Sequence, residues 1–197
     1  MAKNTKKSVV RFYNENFIYR HLSDIIVFLY EDGKVVNKKE IINKKNNSEF
    51  MFPTIVEVID NQKLDEIIVV NGPGSFTGVR LGVTIAKTLA YTLNISIKTI
   101  TSLEVAALGS NCKNIALSDG NGYYIAEYDE NLNPKKEYIY LNNEDYHNLN
   151  NGILYNETYT IDPESIYMKN KKETNAHGVN PIYIKKIGVE LDKKSNN

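Results

Sequence analysis

Two hydrophobic periods alternate along the chain. Short apolar runs bounded by turn residues read as strands, and longer stretches with apolar residues at helical spacing read as helices. Ile25–Tyr30 is the first clear run. Glu31-Asp32-Gly33 then supplies an Asp-Gly turn, and Lys34-Val35-Val36 with Ile41-Ile42 brings the chain back as a hairpin. Asn46-Asn47-Ser48-Glu49 can cap a helix whose apolar set is Phe52, Ile55, Val56 and Ile59. The run Ile67–Val70 ends in the turn Asn71-Gly72-Pro73-Gly74-Ser75, which opens a helical pattern reaching about Leu93. A strand at Ile95–Ile100 and a short helix to Leu108, with Ser102 as its cap, follow. This order is that of an α/β domain with a mixed sheet and flanking helices.

Past Gly109-Ser110 the pattern changes. Asn114–Leu117 and Tyr123–Tyr128 read as strands around the turn Ser118-Asp119-Gly120-Asn121-Gly122, and the alternation Tyr138, Tyr140 predicts another. Asn142–Asn151 is asparagine-rich loop with a poor helix, Ile153–Tyr155 a short buried strand, and Pro181-Ile182-Tyr183-Ile184 a last strand-like element. The expected division is an N-terminal extension, partly disordered, over 1–16, a first half over 17–109, a smaller second half over 110–187 and a polar tail over 188–197.

Composition narrows the function classes. Twenty-four basic residues balance 24 acidic ones, so no global charge favours nucleic acid or an anionic membrane. No apolar run approaches the ~20 residues that span a bilayer. The basic start, Met1 to Lys7, lacks the apolar core of a signal peptide. With Cys112 as the single cysteine, an internal disulfide or a cysteine-based zinc site is excluded, and a cytoplasmic setting is expected. Arg11, Arg20 and Arg80 are the only arginines. In a chain that otherwise uses lysine, Arg80 inside the glycine-rich turn points to a use for the planar guanidinium.

A strand, a glycine turn and a helix together can cradle a phosphate. Spacing rules against the standard versions. A Walker A loop would need glycine at Thr77 or Val79 followed by lysine and a hydroxyl, and a dinucleotide fingerprint would need its third glycine one residue before Gly78. The nucleophile elbow would need glycine at Pro73 and Thr77 around Ser75. His21, His147 and His177 are scattered, and Asp119 and Glu127 are single acids in a hairpin. No catalytic constellation or metal set results. The helix has its own signature: Gly78, Gly82, Ala86 and Ala90 form a ridge of very small side chains, with Leu81, Ile85 and Leu89 alongside. A helical glycine costs ~1 kcal/mol relative to alanine, so Gly82 implies a close neighbour, either the chain's own sheet and first helix or another subunit.

Gly72-Pro73-Gly74-Ser75-Phe76-Thr77-Gly78-Val79-Arg80-Leu81-Gly82 closely resembles the signature of the TsaB (YeaZ) family, part of the bacterial machinery that makes threonylcarbamoyladenosine in tRNA. Ala86-Lys87 and Thr101-Ser102-Leu103-Glu104 resemble the family's helix and Ser-Leu-Glu segment; Asn47-Ser48-Glu49 resembles its His-Ser-Glu, and Pro181-Ile182-Tyr183-Ile184 its terminal Pro-Leu-Tyr-Leu. The resemblance implies the actin–sugar kinase–Hsp70 fold of two ribonuclease H-like halves, the second one reduced here. It implies a non-catalytic scaffold that pairs, through helices of its first half, with a TsaD-like catalytic subunit and works with a TsaE-like ATPase. The free chain would alternatively self-associate as a homodimer, and tRNA would meet it only indirectly. Gly72, Gly74, Ser75, Phe76, Thr77, Gly78, Arg80, Gly82, Ala86 and Ala90 are then the residues that shape the loop or meet the partner, Phe76 being either an anchor or part of the core. No cofactor is expected on this chain alone, although a nucleotide at a subunit interface is compatible with the family. Two positions depart from the pattern. Aligned back from Asp32-Gly33, the family's Asp-Thr-Ser strand end falls on Tyr19-Arg20-His21, and its Asp-Ala-Arg turn becomes Asp119-Gly120-Asn121. The competing reading is a stand-alone nucleotide-binding phosphotransferase or glycoprotease-like hydrolase with Ser75 or Thr77 at the anion site.

Overall fold

The computed structural model of the protein describes residues 8–14, 25–32, 34–41, 47–169 and 175–185. Five strands make one sheet in the order β3-β2-β1-β4-β5, with β1 at Ser8–Asn14, β2 at Ile25–Glu31, β3 at Lys34–Ile41, β4 at Glu66–Val70 and β5 at Ser96–Ile100. The first three strands pair antiparallel, and β4 and β5 join β1 in parallel. Parallel neighbours need a crossover. Helix α1, Asn47–Ile59, precedes β4, and helix α2, Phe76–Leu93, carries the chain from β4 to β5.

Alternate residues of the inner strands feed two separate cores. Val27 and Leu29 of β2, Ile67 and Val69 of β4 and Ile97 of β5 meet α1 and α2 on one face. Phe28, Tyr30, Ile68, Val70 and Ile100 point the other way, onto helix α3 (Ser102–Ser110) and a second sheet. Burial on both faces explains why β4 reads as an unbroken apolar run. On the second face, Lys98 and Glu66, both buried, pair at 2.6 Å across β5 and β4. The second sheet is antiparallel, in the order β6 (Asn114–Ser118), β7 (Gly122–Glu127) and β8 (Ile139–Asn142). Short helices α4 (Asn143–His147) and α5 (Pro163–Lys169) complete the described elements, with a single 3-10 turn at Ala176–Gly178. At the junction, Gly109 lies so close to the Thr160 carbonyl that a Cβ there would sit 1.7 Å from the oxygen.

The structure corrects four expectations. Ser8–Asn14, expected to be extension, is a strand between β2 and β4. The first strand therefore ends at Phe12-Tyr13-Asn14, and Tyr19-Arg20-His21, expected at that position, lie outside the described residues. The segment Ile153–Tyr155 forms no strand: Leu154 is exposed, and a lone bridge joins Ile115 to Asn156. Helix α3 is capped by Thr101, not Ser102, in a reciprocal capping box with Glu104. On α1 the buried face is Met51, Thr54, Ile55 and Val58, while Phe52 and Val56 remain 49% and 53% exposed.

Candidate functional site

Ser75 sets the start of α2. Its Oγ accepts the Gly78 amide at 3.4 Å, and its carbonyl accepts the Val79 amide at 2.9 Å. Gly72 turns the chain out of β4 at φ +100°, with a cis peptide to Pro73. The turn is then held from two sides. The Ser102 amide donates to the Gly72 carbonyl at 3.1 Å, and the Ser102 hydroxyl donates to the Pro73 carbonyl. That is what Ser102 does in place of capping its helix.

The second hold comes from residues 175–185, which cross the turn as a strap. The Asn71 side-chain amide donates to the Asn180 carbonyl at 3.1 Å, and the Ile182 amide donates to the Asn71 carbonyl at 2.7 Å. A Cβ at Gly72 would stand 2.9 Å from the Ile182 carbonyl oxygen, so glycine answers both the dihedral and the close approach. Lys87 of α2 donates to the Val179 carbonyl at 2.9 Å. Pro181–Ile184, expected as a strand, has no regular structure and lies outside either sheet. Its role is to tie the turn down by backbone contacts, which no side-chain pattern announces.

Phe76 belongs to this strap flank and not to the core. It is 49% exposed, its ring lies 5.2 Å from that of Tyr183, and the Arg80 guanidinium stands 5.2 Å over it. Thr77 is exposed and Gly74 half-buried. The small ridge faces inward: Gly78, Gly82, Ala86 and Ala90 are all buried, and a Cβ at Gly82 would meet the Met51 sulfur of α1 at 3.9 Å. Of the two neighbours the sequence allowed, the chain's own first helix and sheet fill this face. The spacing also leaves room for a methyl, so Gly82 is not there to relieve a clash with alanine.

Leu81, Ile85 and Leu89 of α2 are half-buried against the core that α1 and α2 share with the sheet. Helix α1 is fastened to β3 along its opposite flank by Asn37 Nδ2 donating to the Val58 carbonyl at 3.0 Å and by the Lys39–Glu57 ion pair. Phe52 and Val56 are left on the solvent side of α1. With the half-buried leucines and isoleucine of α2, they are apolar residues, termed the seam, that this pair of contacting helices leaves partly uncovered.

At the far end of the strap, Lys185 donates to Asp119 at 3.2 Å and to the Tyr140 hydroxyl at 3.0 Å, and Tyr140 donates to Asp119 at 2.9 Å. The bond to Tyr140 raises the Lys185 ammonium above its ordinary range. Burial pushes the Tyr124 hydroxyl up to about 12, and the Asp119 charge adds to it. Asp119 is thus spent on structure. Among the described residues no group of histidine, cysteine, aspartate and glutamate could hold a metal, and no helix is long and apolar enough to cross a membrane. Cys112 is half-buried, its thiol near the Ser110 carbonyl.

The fold is that of the actin–sugar kinase–Hsp70 class. YeaZ from Pseudomonas aeruginosa superposes over 90% of this chain and 99% of its own with a TM-score of 0.68 at 12% identity. A structure described as an uncharacterized protein with similarity to peptidase YEAZ, from the same organism, covers 91% of this chain and 100% of its own at a TM-score of 0.69 and 12% identity. Residues 45–125 match the model of the family described as "TsaD: tRNA N6-adenosine threonylcarbamoyltransferase". The tRNA threonylcarbamoyladenosine biosynthesis protein TsaB of Bacillus subtilis (strain 168) is 46% identical over an 86-residue alignment that covers 41% of this chain and 38% of that relative. The chain thus shares the fold of YeaZ, and over part of its length it is similar in sequence to TsaB, spanning well under half the length of that curated relative.

Proposed function

We propose that this chain is a non-catalytic scaffold that binds and activates a TsaD-like catalytic subunit in the formation of threonylcarbamoyladenosine in tRNA. The observation that carries the reading is the seam on α1 and α2. Phe52 and Val56 of α1 stand about half in solvent, and Leu81, Ile85 and Leu89 of the contacting helix α2 are half-buried. An exposed apolar strip on paired helices suits a second helix pair, which would bury it as a core is buried. The engagement of polar groups around the turn within the chain fits the same role. The Ser75 hydroxyl accepts the Gly78 amide, Ser102 donates to the Pro73 carbonyl, and Asp119 is held by Tyr140 and Lys185. A TsaE-like ATPase would join the pair, and any nucleotide would be shared at a subunit interface.

Co-purification with the TsaD-like protein of the same organism tests the reading. The wild-type chain is expected to form a heterodimer, and Phe52→Asp with Val56→Asp is expected to abolish it while thermal unfolding stays close to wild type. A folded double variant that still binds, or two folded wild-type proteins that never associate, would sink it. Sedimentation of the free chain decides whether the same seam supports a homodimer. ATP hydrolysis by the isolated chain, lost in Asp119→Ala, would instead favour the phosphotransferase.

A further inference from the structure

The strap flank carries a second surface, of different chemistry from the seam. Arg80, Phe76 and Tyr183 form a row, each within 5.2 Å of the next. Tyr183 is 52% exposed and opens onto a groove of about 1060 Å³ between the strap and residues 134–140. Lys135 and Lys136 line the same groove, and Lys185 lies 4.6 Å over the Tyr140 ring. Two of the three lysines are exposed but reach largely covered carboxylates, Lys136 with Glu127 and Lys185 with Asp119, each at 3.2 Å. The exposed lysine ends remain open to a second, solvent-side anion.

We propose that the Arg80–Phe76–Tyr183 row and the adjoining groove bind a single-stranded stretch of the tRNA substrate. Bases stack on Phe76 and Tyr183, and the backbone follows Lys135 and Lys136. The inference rests on the scaffold reading for the identity of the RNA, and it replaces the expectation that tRNA meets this chain only indirectly. Exposed aromatic faces interleaved with cations are the means by which proteins hold unpaired strands. A paired duplex hides its base faces and would gain little here. A protein partner would want the continuous apolar surface found on the seam. With Glu137 also lining the groove, the surface has charges of both signs, so stacking carries more of the binding than net charge does.

The test is fluorescence anisotropy with an RNA stem-loop whose unpaired loop contains adenine, against a fully paired duplex of equal length. Both are measured on the free full-length chain and on its complex with the TsaD-like protein. The stem-loop is expected to bind more tightly than the duplex. Phe76→Ala with Tyr183→Ala should weaken it about tenfold, with partner co-purification unchanged. Lys135→Gln with Lys136→Gln should flatten the salt dependence by about one phosphate contact or more. Photo-crosslinking of a 4-thiouridine stem-loop to the unsubstituted chain gives an answer that does not depend on variant folding, with adducts expected within residues 76–80, 134–140 and 183–185. Equal binding of both RNAs, unchanged affinity in the aromatic variant, or crosslinks elsewhere overturn the proposal. So does an aromatic variant that loses the protein partner and keeps the RNA. Should the wild-type chain fail to bind any TsaD-like protein, the free-chain measurement still decides this question on its own.

Discussion

On one side of the glycine turn, α1 and α2 lie together with Met51 against Gly82 and leave Phe52 and Val56 in solvent. On the other, residues 175–185 cross the same turn and are held by hydrogen bonds to Asn71 and to Lys87. The first flank is apolar, made by side chains of regular helices. The second is aromatic and cationic, built on chain with no regular structure. One short motif therefore positions two surfaces, with different tolerance for side chains. Only glycine at 72 lets the strap approach, whereas at 82 any very small residue lets the helices close.

Substitution at Gly72 has the largest expected effect. Gly72→Ala puts a side chain at φ +100° and 2.9 Å from the Ile182 carbonyl, and it should cost roughly 2–4 kcal/mol. The comparison predicts where the damage falls. Hydrogen exchange should quicken in residues 179–185, and binding at the seam should persist. Equal loss at both flanks would mean the turn is one cooperative unit.

Gly82→Leu reverses the geometry. Its extra carbons must displace Met51 and push α1 away, at about 1–3 kcal/mol, so the seam should lose its partner while the Phe76–Tyr183 row is spared. Gly82→Ala is the control, because its methyl meets Met51 only at ordinary contact distance. Alanine should leave binding intact and add up to ~1 kcal/mol through helix propensity. Calorimetric unfolding of both variants beside a partner pull-down checks the pair. A leucine variant that binds normally would show the seam to be elsewhere.

The second sheet should respond to alkali before the first. Burial raises the hydroxyl pKa of Tyr124 to about 12 and moves those of Tyr128, Tyr138, Tyr140 and Tyr155 upward as well. These groups keep their protons in the folded state after the unfolded chain has shed them. Their stabilising contribution is complete below the ordinary tyrosine range near pH ~10 and is lost as the pH rises beyond it. Lys185, also raised, has the same sign. Tyrosinate absorbance and near-ultraviolet dichroism, followed together, should show late ionisation coupled to loss of the second sheet. Early, uncoupled ionisation would contradict the packing described.

Features written in local pattern were legible in the sequence. The hairpin at Asp32-Gly33, the buried run Ile67–Val70 and the α2 span to Leu93 needed only turn chemistry and periodicity. The central strand Ser8–Asn14 was not, because Arg11 interrupts its apolar pairs and one of its partners, β4, lies far along the chain. At the site, Gly72, Ser75 and the ridge stood out by residue type. The strap's hold on Asn71 uses carbonyls and amides that every residue possesses, so no spacing could have revealed it. The exposure of Phe52 and Val56 was hidden for a related reason. Their spacing is right for a core face, and only the fastening of α1 to β3 turns them outward. Tyr183 gave a signal as part of the terminal motif, but its meeting with Phe76 is a fact of tertiary structure.

The smallest expected effect concerns the strap's far anchor. Lys185 and Asp119 are 3.2 Å apart, with the lysine side chain 46% exposed and the aspartate 16%, and a pair open to solvent on its lysine side couples by roughly 0.2–1 kcal/mol. A double-mutant cycle of Lys185→Gln and Asp119→Asn should return a value in that range, shrinking as salt rises. The consequence for the comparison exceeds the energy. Releasing Lys185 frees the end of the strap next to Tyr183 but leaves the hydrogen bonds at Asn71 in place. The stem-loop RNA should therefore bind more weakly to Lys185→Gln, while the protein partner is unaffected at the seam. A coupling near zero with unaltered RNA binding would restrict the second surface to Arg80, Phe76 and Tyr183, and would make the ion pair incidental to it.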